Sequence, residues 1–172
     1  NAVGWKLWAR KLSGEGDMAS QLCTSCHSEN GPANKKIIGK PSHPLFVNLN
    51  KKIMTENTLP LYTKEGIKDK DRGKVVCLTC HDPHQWDPDD INNDKGAKKD
   101  IEGDATNSFL RLAAGDDPIL CANCHQDKKY ILNTEHDMRV TVKDAKNIKG
   151  ETVNQSGLCG QCHFVHNSQF FP

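Results

Sequence analysis

The stretch Cys77-Leu-Thr-Cys80-His81-Asp-Pro-His84 decides how this chain folds. It holds two cysteines spaced C-x-x-C, a histidine directly after the second cysteine, and another histidine three residues later. The C-x-x-C-H pattern occurs three more times in the 172 residues, so it uses all eight cysteines and four of the eight histidines. Its four copies begin at Cys23, Cys77, Cys121 and Cys159.

The repeated motif predicts four covalently attached c-type haems. Two thiols at this spacing lie on one side of a helical turn and can add to the two vinyl groups of one porphyrin. The histidine that follows can then reach the iron as the proximal ligand. The predicted attachment residues are Cys23, Cys26, Cys77, Cys80, Cys121, Cys124, Cys159 and Cys162. The predicted proximal ligands are His27, His81, His125 and His163.

Two other uses of the cysteines explain less of the pattern. Four C-x-x-C pairs could build two zinc ribbons, and an even number of cysteines could form a disulfide framework. Neither arrangement needs a histidine directly after every second cysteine. We therefore interpret the motifs as haem attachment sites, with zinc as the main alternative.

The four remaining histidines match the four irons in number. His84 and His166 each follow a proximal histidine by three residues, whereas His43 lies in Ser-His-Pro and His136 lies in Glu-His-Asp. We predict all four as distal ligands, which makes every iron six-coordinate and bis-histidine. The competing ligands, which would raise the reduction potential, are Met18, Met54 and Met138.

The ligands fall into two units with the same order. We predict a first dihaem module over residues 1–84, a linker with a short helix over 85–120 and a second dihaem module over 121–172, all within one compact unit. Two histidines on one iron have α-carbons about 12 Å apart, whereas three residues span at most about 10 to 11 Å. His84 and His166 must therefore reach a different iron from the histidine three residues before them.

We expect each distal histidine to ligate the other haem of its own module. The loops that must close are then the shortest, so their closure costs the least entropy. The expected pairs are His84 with His27, His43 with His81, His166 with His125, and His136 with His163.

The composition is poor in material for an apolar core. Only 35% of residues are hydrophobic and 26% are charged, although a domain of this size normally buries roughly two-thirds of its unfolded surface. We expect a mostly irregular chain with short α-helices around the motifs and little or no sheet, wrapped around four stacked haems. Helices are expected at 3–12, 17–27, 104–114 and from Pro118 into Cys121, and a short strand at 140–142.

Charge and hydropathy exclude two classes of partner. The formal net charge is +1, so no basic excess indicates nucleic-acid binding. No run approaches the roughly 18 apolar residues that a membrane span requires.

The chain resembles multihaem c-type cytochromes that carry the doubled C-x-x-C-H motif. The resemblance rests on Ser-His-Pro at 42–44, Cys-His-Asp-Pro-His at 80–84, Ser-Phe-Leu-Arg at 108–111 and Cys-His-x-x-His-Asn at 162–167. It covers nearly the whole chain after about Ser20, and it implies that all eight histidines ligate haem iron. Such proteins carry electrons in prokaryotic respiration, and some polymerise into extracellular haem filaments.

We therefore expect an electron carrier or conduit rather than an enzyme, because a bis-histidine iron has no vacant position for a substrate. Its partners would be other cytochromes, other redox proteins or extracellular acceptors. The alternatives are a filament protomer that exchanges a haem ligand between subunits and a multihaem reductase of small oxyanions. Haem is attached outside the cytoplasmic membrane, so we expect a periplasmic or extracellular prokaryotic protein. No basic and apolar leader opens the chain at Asn1, so we expect a mature chain or part of a longer cytochrome.

The motifs predict that the intact mass exceeds the 19.1 kDa of the bare chain by four haems. The red colour should survive extraction with acidified acetone, because thioether bonds hold the porphyrin. A colourless protein that carries zinc would contradict the haem interpretation.

Overall fold

Short helices joined by turns make up the chain. The structure, a computed structural model, describes residues 8–12, 16–39, 42–84, 108–112, 114–115 and 117–168. The α-helices in these ranges are α1 (Met18–Thr24), α2 (Lys51–Glu56), α3 (Cys77–Cys80), α4 (Ile119–Ala122), α5 (Met138–Thr141) and α6 (Val153–Gly160). In the same ranges, two 3₁₀ helices cover Asn34–Lys36 and Gln126–Ile131.

Sheet structure in the described ranges is limited to three isolated bridges: Tyr62 with Lys68, Tyr62 with Lys74, and His81 with Leu110. The expectation of short helices with almost no sheet is therefore confirmed. No helix in these ranges has the length and apolar character needed to cross a bilayer.

Every C-x-x-C-H motif forms the same helical turn. In each copy the histidine N–H donates to the carbonyl oxygen of the first cysteine, which is the i to i−4 bond of an α-helix. The N···O distances are 2.9 Å for His27, 3.1 Å for His81, 2.9 Å for His125 and 2.9 Å for His163. Each turn therefore fixes the spacing of two cysteines and the histidine that follows them.

The helix that leads into the first motif is α1, as its sequence pattern predicted. Asp17 caps it by accepting a hydrogen bond from the Ser20 N–H at 2.8 Å, and such a cap satisfies a free amide of the first turn. α1 packs against α3, which carries the second motif. The first two attachment turns are thereby held together.

The apolar core of the described residues is small. Its buried hydrophobic members are Ala19, Leu59, Leu61, Val75, Val76, Leu110, Val153 and Leu158. This agrees with the composition, which offers too little apolar material for a conventional core.

A glycine permits the close packing before the fourth motif. α6 is interrupted at Gly157, whose φ is 74°. A Cβ atom at this position would lie 2.0 Å from the carbonyl oxygen of Ala114. Glycine meets both requirements, since it tolerates a positive φ and lets another backbone approach closely.

Some expected elements differ in the structure. Residues 108–112 are not helical, because they pair with the second motif: the Asp82 N–H donates to the Phe109 carbonyl and the Arg111 N–H to the Cys80 carbonyl, each at 2.8 Å. The part of 3–12 that is described, residues 8–12, is not helical either, while 3–7 and 104–107 lie outside the described residues.

The strand expected at 140–142 is wrong, because α5 occupies most of it. The helix expected after Asp117 exists as α4, but it begins at Ile119 and its N-cap residue is Pro118.

Asp137 organises the turn that starts α5. Its carboxylate is fully buried. It accepts hydrogen bonds from the Asn133 N–H at 2.9 Å and from two guanidinium nitrogens of Arg139 at 2.8 and 2.6 Å. The bond from Arg139, with the Asn133 amide next, lowers the pKa of Asp137 well below its usual range. This cluster fixes the backbone beside His136.

We predict that Asp137→Asn lowers the free energy of unfolding by about 2 kcal/mol, because a charge-assisted hydrogen-bond set is lost. Since the folded pKa is depressed, the stabilisation is fully present above about pH 4 and disappears only as the pH falls through the folded pKa. Denaturant unfolding across a pH series measures both effects.

The matched control is Asp127→Asn, which removes an ion pair with Lys128 between side chains that are 66% and 74% exposed. Exposed pairs of this kind contribute about 0 to 1 kcal/mol. Equal stability of Asp137→Asn and Asp127→Asn at pH 7 would contradict the role assigned to Asp137.

Candidate functional site

Cysteines of successive motifs are neighbours. Cys23 and Cys77 are each the first cause of the other thiol's pKa shift. Cys121 and Cys159 are related in the same way. All eight cysteines are free thiols, so the structure does not form the disulfide framework.

The two thiols of each pair shift in opposite directions. The neighbouring Cys23 lowers the pKa of Cys77 to about 7, and Cys121 lowers that of Cys159 to about 7. The pKa values of Cys23 and Cys121 are raised. Burial first, and then the charge of Cys124, raises the pKa of Cys80 to about 11. Cys80 and Cys124 are therefore close enough to interact across the second and third motifs.

Three of the candidate iron ligands have their Nδ1 atom against a backbone carbonyl. The contacts are His27 with Lys36, His43 with Pro44, and His81 with Ser108, each at 3.1 Å. A carbonyl only accepts hydrogen bonds, so Nδ1 carries the proton and Nε2 keeps its lone pair. Metal-bound histidines commonly show this arrangement, which fixes both tautomer and ring orientation.

A strap at residues 108–111 provides the carbonyl for His81. Arg111 anchors the strap through an Nε–H bond to the Leu78 carbonyl at 2.8 Å and an ion pair with Asp82 at 2.6 Å. The Ser-Phe-Leu-Arg stretch therefore orients a proximal ligand. Sequence reasoning noted this stretch as a family likeness and as part of an expected helix, and no local pattern indicated its role.

Two pairs of histidine rings face each other. The centroids of His43 and His125 are 6.2 Å apart, with ring planes at 77°. The centroids of His81 and His166 are 6.1 Å apart, with planes at 24°. Each pair joins one predicted proximal ligand to one predicted distal ligand, and each pair joins the two halves of the chain.

These ring contacts differ from the exchange expected within modules for two distal ligands, and that exchange stays a prediction. His43 faces His125 instead of His81, and His166 faces His81 instead of His125. The physical reason is a long-range backbone contact: the His43 N–H donates to the Val165 carbonyl at 2.7 Å. The first-half loop that carries His43 is thus bonded to the segment that carries His166.

In the described residues, the other two predicted distal ligands, His84 and His136, do not lie against another histidine ring. His84 and His136 are exposed, as are the distal His43 and the proximal His125 and His163. In the described part of the chain, no ring contact joins His84 or His136 to another residue. The pairs expected for His84 and His136 stay predictions.

Desolvation lowers the pKa of three of the facing histidines. It is the first cause that lowers the pKa of His43, His81 and His166. The facing ring lowers the pKa of His43 and His166 further. Neutral imidazole is the form that ligates metals. The Nδ1 atom of His166 is also buried without a hydrogen-bond partner, at a cost of about 1–3 kcal/mol for an unsatisfied polar group.

The described residues do not form a zinc site. A structural zinc needs four converging ligands, and no group of three or more His, Cys, Asp or Glu side chains in the described ranges could hold a metal ion. A bis-histidine haem iron takes only two protein ligands, so its ligand pairs are not clusters of this kind.

Comparison with protein-family models, with curated proteins and with solved structures finds no match to this chain.

The facing rings predict which iron each distal histidine serves. His166→Met should raise the reduction potential of the haem expected on Cys77 and Cys80, since methionine in place of imidazole raises the potential. It should leave the haem of His125 unchanged. Redox titration with NMR of labelled histidines identifies the proximal ring that shifts.

His43→Met is the matched control, and its expected effect is confined to the haem of His125. A shift at His125 caused by His166→Met would restore the exchange within modules.

Proposed function

We propose that this chain transfers electrons through four covalently attached, bis-histidine c-type haems. It would act as a periplasmic or extracellular carrier or conduit between redox proteins, or between a redox protein and an extracellular acceptor. When bound, each haem supplies a one-electron couple of its iron. The residues of the chain attach the haem, ligate the iron and set its potential.

The facing histidine rings are the observation that carries this proposal. With a metal–nitrogen bond of about 2.0 Å and a ring radius of about 1.1 Å, two imidazoles on opposite sides of one metal have centroids about 6 Å apart. The two observed separations are 6.2 and 6.1 Å. The two separations therefore support the proposal that each pair would hold one haem iron.

Ligand chemistry favours electron transfer over catalysis. His43 and His81 each point a proton at a carbonyl through Nδ1, so Nε2 is free to donate to iron. The carbonyl increases the basicity of the ring, and histidine on both sides lacks the thioether that raises the potential. An iron with both axial positions filled excludes small substrates.

The contacts between motifs support a continuous path. Cysteines of the first and second motifs shift each other's pKa, as do those of the third and fourth. Cys80 of the second motif interacts with Cys124 of the third. Attachment points that follow one another in this way would place neighbouring macrocycles close together, which suits electron transfer along the chain.

The exposure of two predicted distal ligands favours a second candidate function, in which the chain is the protomer of a haem filament. His84 and His136 lie at the surface, where a neighbouring copy could contact them. In such a filament a histidine would ligate an iron of the next subunit. Electron microscopy separates filaments from particles directly.

We predict that all four irons are low-spin, so the electron paramagnetic resonance spectrum of the oxidised protein contains low-spin signals only. Reductive titration should take up four electrons per chain. The reduced protein should not bind carbon monoxide rapidly, because both axial positions of each iron are filled.

A substantial high-spin signal together with rapid carbon monoxide binding would contradict the carrier assignment. That result would favour the alternative of a multihaem reductase with one five-coordinate iron.

A further inference from the structure

Asn167 joins the end of the fourth motif to the loop that carries His43. Its Nδ2–H group donates to the Ile37 carbonyl at 2.9 Å, and its Oδ1 accepts from the Gly39 N–H at 2.5 Å. Its backbone N–H donates to the Ser42 hydroxyl at 3.1 Å. These three bonds link residues that are at least 125 positions apart in sequence.

The loop is shaped to receive this side chain. The Ser42 hydroxyl donates to the Gly39 carbonyl at 2.5 Å, so Ser42 closes the loop while it accepts from Asn167. A Cβ atom on Gly39 would lie 2.9 Å from Asn167 Oδ1, which is too close for an ordinary contact. Glycine at this position therefore permits the approach of the amide.

The bonds of Asn167 lie next to two distal ligands. His166 precedes Asn167, and His43 follows Ser42. The His43 N–H donates to the Val165 carbonyl at 2.7 Å, so the two histidines leave adjacent backbone segments. The ring of His43 lies against His125 in the second half of the chain, and the ring of His166 lies against His81 in the first half.

We propose that Asn167 is a positioning residue that sets the distal ligands of two different irons at once. An asparagine amide offers both a donor and an acceptor, which the Ile37 carbonyl and the Gly39 amide require together. Loss of this amide would free residues 37–39 and 42–43 from the segment at 165–167. Both His43 and His166 would then lose their fixed approach to iron. This inference rests on the proposed function.

The test is Asn167→Ala in the haem-loaded protein, with Asn50→Ala as the matched control. Asn50 also accepts a backbone hydrogen bond, from the Ile53 N–H at 2.9 Å, but this bond caps α2. In Asn167→Ala we expect the reduced protein to bind up to two equivalents of carbon monoxide per chain, from none in the parent. We also expect new high-spin signals and raised potentials at the irons of His81 and His125 only.

Ser42→Ala is a milder second variant, because it removes one of the three bonds and leaves the amide in place. It should change the same two irons in the same direction by a smaller amount. Unchanged spectra and potentials in both variants would overturn the proposal, as would an equal effect of Asn50→Ala.

Failure of the proposed function would give a different result. In that case the parent protein itself would lack four covalent haems or would bind carbon monoxide before any substitution.

Discussion

The helical turn of the C-x-x-C-H motif is the constraint on which the rest of the structure depends. The bond from the histidine amide to the first cysteine carbonyl recurs in all four copies at 2.9 to 3.1 Å. Each turn therefore presents two sulfurs and one imidazole as a rigid unit. The other described elements hold these turns in place: α1 packs on α3, and the strap at 108–111 orients His81 through the Ser108 carbonyl.

Polar contacts, rather than an apolar core, connect the distant parts of the chain. Few hydrophobic side chains are buried in the described residues, so hydrogen bonds such as those of Asn167 and Arg111 decide which segments meet. Directional bonds of this kind specify geometry but contribute only about 0.5–1.5 kcal/mol each to stability. Four covalently bound haems, if present, would supply apolar contact area that the chain lacks, and the polar bonds would set the ligand geometry.

The sequence predicted the local structure around each motif, but not the contacts between segments that are far apart in the chain. Spacing within five residues predicted the four attachment turns, and Asp17 with Met18 and Leu22 indicated α1, which is confirmed. The ring that His43 contacts could not be found this way, because its position depends on a backbone bond to Val165. The argument from short loop closure chose the nearer partner, although a longer loop costs only slightly more entropy. Similarly, the apolar residues at 109–112 suggested a helix, but pairing with the second motif overrides that propensity.

The most direct test of the central claim is an experimental density map of the haem-loaded protein. We expect one iron between His43 and His125, another between His81 and His166, and thioether bonds to all eight cysteines. An iron between His43 and His81, or a metal held by four cysteines, would contradict it.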